Sequence, residues 1–397
     1  MRVTPDALRR IKGGHPWVYD RSIESVKGDG HAGDLAVVFD TDRKFAAIAL
    51  YDPQSVIRLK VLHHGRPTTV DRAFWHQRLS AAIERRAALS ADGNTDGYRI
   101  VNGENDGFPG LILDRYADCL VLKLYSPIWV PHLVDVVGAI DDLLHPRALV
   151  LRHARNLDPL ALHGLEEGDA LLGTAPTEPV LYRENGLTFE ADLVAGQKTG
   201  AFLDQRDNRA IVRGLADGAR VLDVFCATGG FSVHAAAGGA TNVTAVDISE
   251  PTLAVAARNM AHNSADPTVA ACKLRPLAGD AYEVLDRLHR NGERFDIVII
   301  DPPSFTPRQE SVARALEAYA RLTERGVRLV RSDGWFVQAS CSSRVTAEEF
   351  HRTVAHTAAQ AGRPLDEWRR TGHAVDHPVT FPEGAYLKAV FAKVPGR

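Results

Sequence analysis

The sequence predicts an α/β chain in three parts: a small β-rich module over residues 1–70, a compact α+β middle domain over 71–185, and a C-terminal doubly wound parallel sheet over 186–397. Three observations predict it. Short β-type runs separated by glycine and Asp-Pro punctuation fill the first part, helical spacing interrupts strands in the second, and apolar strands alternate with helices from Ala219 onward. The 397 residues, at roughly 100 to 200 per domain, leave room for two to four domains.

In the first part Leu35 to Phe39, Phe45 to Leu50 and Val56 to Leu62 read as strands, broken by Gly13-Gly14, Gly28 to Gly33 and Asp52-Pro53. Val70 to about Leu89, with Phe74, Leu79, Ile83 and Leu89 at helical spacing, reads as the joint to the next module. Tyr98 to Val101, Leu111 to Leu113, Cys119 to Leu124 and Ala148 to Arg152 are the middle strands, and Pro131 to Leu144 is a helix opening at a proline. Gly164 to Pro179 is loop, leading to a hairpin near Val180 to Leu193. Beyond it Val221 to Phe225 enters a glycine turn and the helix Ser232 to Ala237. Val243 to Val246 ends at Asp247 before the helix Thr252 to His262, Phe295 to Ile300 ends at Asp301, and Gly334 to Ala339 ends at Ser340-Cys341.

Composition narrows the function classes. With 45% hydrophobic and 24% charged residues the chain is neither disordered nor fibrous. Lys plus Arg is 47 against 50 for Asp plus Glu, a formal net charge of −3, which excludes a uniformly basic nucleic-acid sleeve but leaves room for a local basic patch. The four cysteines, Cys119, Cys226, Cys272 and Cys341, form no CxxC pair, so neither a disulfide scaffold nor a metal site is expected. The N-terminus lacks the apolar core of a signal peptide and no long apolar run appears, so the expected compartment is the cytoplasm, without a membrane.

Ligands of doubly wound sheets sit beyond the carboxyl ends of the strands, and there the polar residues gather. Asp223-Val-Phe-Cys-Ala-Thr-Gly229-Gly230 follows the first strand, Asp247 ends the second, and Gly279-Asp280-Ala281 is expected before the third. A carboxylate at Asp247 can accept both hydroxyls of a ribose, and Asp280 can meet an adenine edge. A glycine turn alone also occurs in α/β domains that bind nothing, but there is no Gly-x-Gly-x-x-Gly to cradle a pyrophosphate. A ligand with ribose and adenine but no phosphates fits better, and S-adenosylmethionine is that ligand.

Two later features carry chemistry. Asp301-Pro302-Pro303-Ser304-Phe305 is a stiff loop that can hold a flat base, Phe305 by stacking and Asp301 by hydrogen bonding to its edge. Its blander reading is a proline turn that ends a strand. Cys341, flanked by Ser340, Ser342 and Ser343 at a strand end, is expected to face the pocket. Carbon 5 of cytosine is a poor nucleophile until a thiolate adds at carbon 6 and an acid relieves charge at nitrogen 3. Cys341 and Asp301 supply those two needs. Cys226 lies in the glycine turn and is expected to line the cofactor site, whereas Cys119 and Cys272 read as structural.

The run Gly196-Gln-Lys-Thr-Gly-Ala-Phe-Leu-Asp-Gln-Arg-Asp-Asn208, the turn Asp223 to Gly230, Asp301 to Phe305, Ser340-Cys341-Ser342 and His377 to Gly384 together resemble the PUA-domain-containing ribosomal RNA large-subunit cytosine-5 methyltransferases. The likeness covers essentially the whole chain, including His15-Pro16-Trp17-Val18-Tyr19 and Val101 to Gly107. It implies an N-terminal PUA-like RNA-binding domain and a Rossmann-like methyltransferase domain using S-adenosylmethionine. It places Lys198, Thr199, Phe202, Gln205 and Arg206 over the cofactor, and Asp223, Phe225, Thr228 and Gly229 around its methionine part. Asp247, Ile248, Asp280 and Ala281 meet its ribose and adenine, and Asp301 also borders it. Pro302, Pro303 and Phe305 take the substrate base, and Cys341 is the nucleophile. Many RNA cytosine-5 methyltransferases carry a second cysteine after this loop to help release product; Ser304 stands there instead.

The partner implied is large-subunit ribosomal RNA; pairing as a homodimer is left open. Within residues 1–28 six Lys or Arg face three acids, so Arg9, Arg10, Lys12 and Trp17 are the expected RNA contacts. The alternatives are a guanine or adenine N-methyltransferase on RNA, which needs the Asp-Pro-Pro loop but no thiol, and a non-catalytic RNA-binding assembly factor.

Overall fold

Six short strands near the N-terminus pair into one sheet over an apolar layer: β1 (Arg2–Val3), β2 (Trp17–Tyr19), β3 (Ile23–Ser25), β4 (Leu35–Phe39), β5 (Phe45–Tyr51) and β6 (Ile57–His64). Their order is β2-β6-β5-β4-β1-β3 in the structure, a computed structural model that describes residues 1–91, 93–305 and 312–396. Helix α1 (Pro5–Lys12) starts where the Thr4 hydroxyl accepts from Ala7 N at 3.3 Å and Pro5 needs no donor. It buries Ala7, Leu8 and Ile11 against this sheet and leaves Arg9, Arg10 and Lys12 exposed.

The expected joint helix is α2 (Arg72–Arg85), opened by Asp71, which caps Phe74 N at 3.0 Å, and followed by the short α3 (Ala87–Ser90). The break falls at Arg86, whose buried guanidinium forks onto Asp106 at 2.8 and 2.7 Å and reaches the Arg99 and Asp376 carbonyls. β7 (Gly97–Asn102), β8 (Leu111–Tyr116), β9 (Cys119–Leu124), β10 (Ala148–His153) and β11 (Ala170–Gly173) form a second sheet in the order β11-β10-β9-β8-β7. Only β9 and β10 pair in parallel, and α4 (Leu133–Leu144) makes the crossover. α4 begins later than expected because Pro127–His132 is a 3₁₀ turn. Trp75, Leu79, Phe108, Trp129, Val136 and Ile140 fill the core between helices and sheet.

By contact the chain divides into two compact units: Met1–Arg183 with Ala191–Leu203 and Val375–Pro382, and Glu184–Glu190 with Asp204–Ala374 and Glu383–Arg397. The hairpin of β12 (Val180–Glu184) and β13 (Leu187–Ala191) is where the chain first passes from one to the other.

The second unit continues with α5 (Arg206–Leu215), β14 (Arg220–Val224), α6 (Gly230–Ala237), β15 (Asn242–Asp247), α7 (Glu250–His262), α8 (Pro267–Ala271), β16 (Lys273–Ala278), α9 (Ala281–Arg290), β17 (Phe295–Ile300), α10 (Val312–Leu329), β18 (Val330–Ser340), α11 (Ala347–Gln360), β19 (Asp366–Thr371) and β20 (Lys388–Lys393). Its sheet runs β16-β15-β14-β17-β18-β20-β19, parallel except for β20, which is antiparallel to both neighbours. Alternate residues serve two cores: Leu222, Val224, Val298 and Ile300 on the side of α9 to α11, and Val221, Ile297 and Ile299 on the side of α5 and α6. The doubly wound expectation is therefore met, with the order reversing between β14 and β17.

One placement is corrected. Gly279-Asp280-Ala281 follows the third strand and does not precede it, because Lys273–Ala278 is itself that strand. It is an edge strand, largely exposed and carrying Pro276, so no apolar run announces it.

α6 is held by a buried charge cluster. Glu184 accepts two bonds of 2.6 Å from Arg209, and His234 Nε2 stands 3.1 Å from its Oε1. The opposing charges overcome burial and hold the Glu184 carboxyl down at about 2. Among the described residues no helix is long and apolar enough to cross a membrane. Nor does any group of three or more His, Cys, Asp or Glu side chains there offer a metal site.

Candidate active site

Five adjacent parallel strands, β16, β15, β14, β17 and β18, bring Asp280, Asp247, Asp223, Asp301 and Cys341 to one edge of the second unit's sheet, each in or just after the carboxyl end of its strand. Asp223 is fully buried at the end of β14. Its Oδ2 accepts from Ser232 Oγ at 2.6 Å, while Oδ1 has no hydrogen-bond partner. Burial, with the neighbouring Asp247 charge adding to it, pushes this carboxyl up to about 6.

The chain after Asp223 turns through three left-handed residues, Phe225 (φ +63°), Ala227 (φ +46°) and Gly229 (φ +79°). A methyl group on Gly229 would stand 2.8 Å from Ala256 Cβ, so only glycine fits there. Asp247 ties the turn down, its Oδ2 accepting from Ala227 N and its Oδ1 from Ser249 N, both at 3.0 Å. Asn259 holds the far side by donating to Thr228 O at 2.8 Å. Ile248 is 77% exposed and so offers an open apolar face beside Asp247. Asp280 caps α9 through Tyr282 N and Glu283 N, which places Ala281 in the first turn.

Cys226 points into a small apolar cluster with Ala245 and Leu253, and burial raises its thiol far above the usual range. Gln205 is buried and accepts from Asn208 Nδ2 at 2.6 Å, and the buried Arg206 pairs with Asp207 at 3.3 Å.

The loops after β17 and β18 are joined. Asp301 N donates to Val224 O at 3.3 Å, Pro302 is buried, and Pro303 is exposed. Cys341 is half-buried with its Sγ 3.9 Å from Pro302 O. Ser304 Oγ and Ser342 Oγ lie 3.3 Å apart. Behind them the Tyr319 hydroxyl receives Ser340 Oγ at 2.8 Å and meets Ser342 Oγ at 2.8 Å, and Phe305 packs edge-on against the Tyr319 ring at 5.2 Å.

Sequence reasoning missed Tyr319 and Lys388. Lys388 is buried at the start of β20 and donates to the carbonyls of Ser342 and Val345. A lone lysine opening the apolar run Ala389 to Ala392 was the available signal.

The remaining predicted residues belong to the first unit. Thr199 is 1% exposed, its hydroxyl donating to Asp114 at 2.7 Å and lying 3.0 Å from the Tyr116 hydroxyl. Lys198 adopts φ +54° and sets its ammonium 4.2 Å from the centre of the Phe202 ring. On α1, Arg9 pairs with Asp6 at 3.1 Å and Arg10 lies 2.6 Å from His15 Nε2. Trp17 is half-buried, donating from its ring nitrogen to Glu104 at 2.9 Å and meeting Phe381 edge-on at 5.0 Å.

The edge residues of the second unit fit S-adenosylmethionine. The buried, unspent Asp223 oxygen suits an ammonium group, Asp247 has lone pairs left for hydroxyls, and Ile248 offers a flat surface to adenine.

A family model for S-adenosylmethionine-dependent methyltransferases matches residues 146–364, and one for a PUA-like domain matches residues 1–64. The chain is 45% identical to a ribosomal RNA large subunit methyltransferase of Deinococcus radiodurans, covering 99% of this chain and 97% of that one. It is 33% identical to ribosomal RNA large subunit methyltransferase I of Pseudoalteromonas translucida, covering 97% of each. A solved structure from Streptococcus mutans described as a SAM-dependent methyltransferase superposes with a TM-score of 0.83 over 99% of both chains. Another, described as a methyltransferase complexed with SAH, reaches 0.85 over 99% of both; at 22% identity each, these two show a shared fold. The chain belongs to the S-adenosylmethionine-dependent methyltransferases, with a PUA-like domain at its N-terminus and S-adenosylmethionine as its cofactor.

Proposed function

We propose that the enzyme forms 5-methylcytosine in large-subunit ribosomal RNA in the cytoplasm, with Cys341 as the nucleophile. The observation that carries this reading is the pairing of a half-buried thiol with the Asp301 loop at adjacent strand ends, Cys341 Sγ standing 3.9 Å from Pro302 O. A nitrogen methyltransferase has no use for that thiol. The names of the Deinococcus and Pseudoalteromonas relatives support the RNA substrate.

Asp223, Thr228 and Gly229, with Gln205 and Arg206, would hold the methionine part of the cofactor, and Asp247, Ile248 and Asp280 its ribose and adenine. When bound, S-adenosylmethionine supplies the methyl group as a sulfonium electrophile. The prolines after Asp301 fix the loop that receives the cytosine, and Asp301 in its acid form holds a proton at ring nitrogen 3. The Cys341 thiolate forms a bond to carbon 6, and the electron pair of the 5,6 double bond shifts to make carbon 5 nucleophilic. After transfer, a base takes the carbon 5 proton, and the electron pair of that C–H bond re-forms the 5,6 double bond as the carbon 6–sulfur bond breaks and the Cys341 thiolate leaves. The exposed Arg9, Arg10 and Lys12 on α1 supply positive charge for RNA phosphates.

Mass-spectrometric mapping of ribosomal RNA from cells with and without the gene tests this. One 5-methylcytosine should vanish from the large-subunit RNA. An unchanged map, or loss of an N-methylated base, defeats the reading.

A further inference from the structure

The Cys341 loop rests on a buried cation. Lys388 is 4% exposed, pairs with Ser340 in the sheet register, and sends its ammonium to the carbonyls of Ser342 and Val345, so it lies beneath the loop that begins at Cys341. An ammonium has three N–H donors, and two serve those carbonyls. Among the described residues no carboxylate forms an ion pair with it: Glu349, the acid that acts on it from α11, is occupied in capping that helix at Thr346. A buried, uncompensated cation is costly unless an anion appears beside it. The thiol of Cys341 is the neighbouring group that can become one.

We propose that Lys388 is a positioning residue that holds the Cys341 loop and favours the thiolate form of Cys341 through its charge. The proposal rests on the reading of Cys341 as nucleophile and adds the means of its activation. Burial lowers Lys388 to about 8, while the Cys341 and Glu349 charges act to raise it. The other titratable groups around the pair are Tyr319 of α10, which feels both Cys341 and Asp301, and His351 of α11, which feels Lys388 together with Arg370 and Glu367 of β19. Lys388 thus both bonds the loop and acts on the thiol.

The test is alkylation of Cys341 by iodoacetamide across pH on the full-length protein without RNA or cofactor, read at the Cys341 peptide because four cysteines are free. Lys388→Gln keeps a donor for the carbonyls and loses the charge, Lys388→Met loses both, and Lys388→Arg keeps the charge. The alkylation midpoint is expected to rise by about 1 pH unit or more in the Gln and Met variants and to stay near wild type in the Arg variant. Cofactor-induced thermal stabilisation shows that each variant is folded; if Lys388→Met does not fold, the Gln and Arg pair decides. A wild-type midpoint in folded Lys388→Gln overturns the proposal. Failure of the nucleophile reading is seen separately, as full methyl transfer by Cys341→Ala, and that outcome does not move the alkylation midpoint.

Discussion

The ends of β14 and β18 solve opposite problems. After β14, a buried carboxylate keeps one oxygen without a partner and the backbone passes through three left-handed residues, so atoms are left ready for a ligand at a cost to the ligand-free fold. After β18, Ser340, Ser342, Tyr319 and Lys388 bond one another or the loop, so the Cys341 loop is already held by its own hydrogen bonds. Binding leaves demand unmet in the protein, whereas the chemical step needs a loop that does not rearrange.

Four changes would break or sharpen that contrast. Cys341→Ala should lower methyl transfer to RNA by about 1000-fold or more, with cofactor affinity unchanged by calorimetry.

Asp223→Asn acts on the strand end that leaves an oxygen unmet. Because the folded carboxyl sits at about 6 against an ordinary value of 3.8, the folded protein holds its proton more tightly. The contribution of Asp223 to the stability of the ligand-free protein is therefore fully present below about 4 and is lost as pH rises through about 6. The Asn variant should lose that slope and gain on the order of 2 kcal/mol at pH 7.5, while binding S-adenosylmethionine about 10- to 100-fold more weakly. Urea unfolding across pH, with cofactor titration, reads both; a steep slope remaining in the variant would remove Asp223 as its source.

Gly229→Ala should cost about 2 kcal/mol of stability, since it adds a left-handed alanine and a methyl group against Ala256, and thermal unfolding measures it. Tyr319→Phe should cost about 1 kcal/mol by removing one hydroxyl from the finished network. Its kcat should fall more than its KM rises; an equal change in both would place the network in substrate binding.

Asp223, Asp247, Asp301 and Cys341 could be read from sequence because each lies at the end of a short apolar run, in β14, β15, β17 or β18. The edge strands could not. β19 is Asp-Glu-Trp-Arg-Arg-Thr, almost wholly exposed, and is a strand only because β20 offers it a free edge. The turn was expected from its glycines, yet part of its strain falls on Phe225 and Ala227, whose residue types carry no sign of it. Lys388 lies 46 residues beyond Ser342, and only the antiparallel pairing of β18 with β20 brings them together. Cys226 shares the turn with the expected cofactor residues but goes to the core, a choice of side that spacing does not encode.

Ser304, with its hydroxyl 3.3 Å from that of Ser342 on the Cys341 loop, also bears on how the proposed nucleophile would meet oxidants. A cysteine there would give an oxidised Cys341 a resolving partner and a route through a disulfide back to the thiol. A serine closes no such bridge, so a sulfenic acid formed at Cys341 depends on an external thiol for rescue before it passes to irreversible states. Peroxide exposure would then register as lost activity that small-molecule thiols restore only early, a redox vulnerability set by one oxygen atom in place of sulfur.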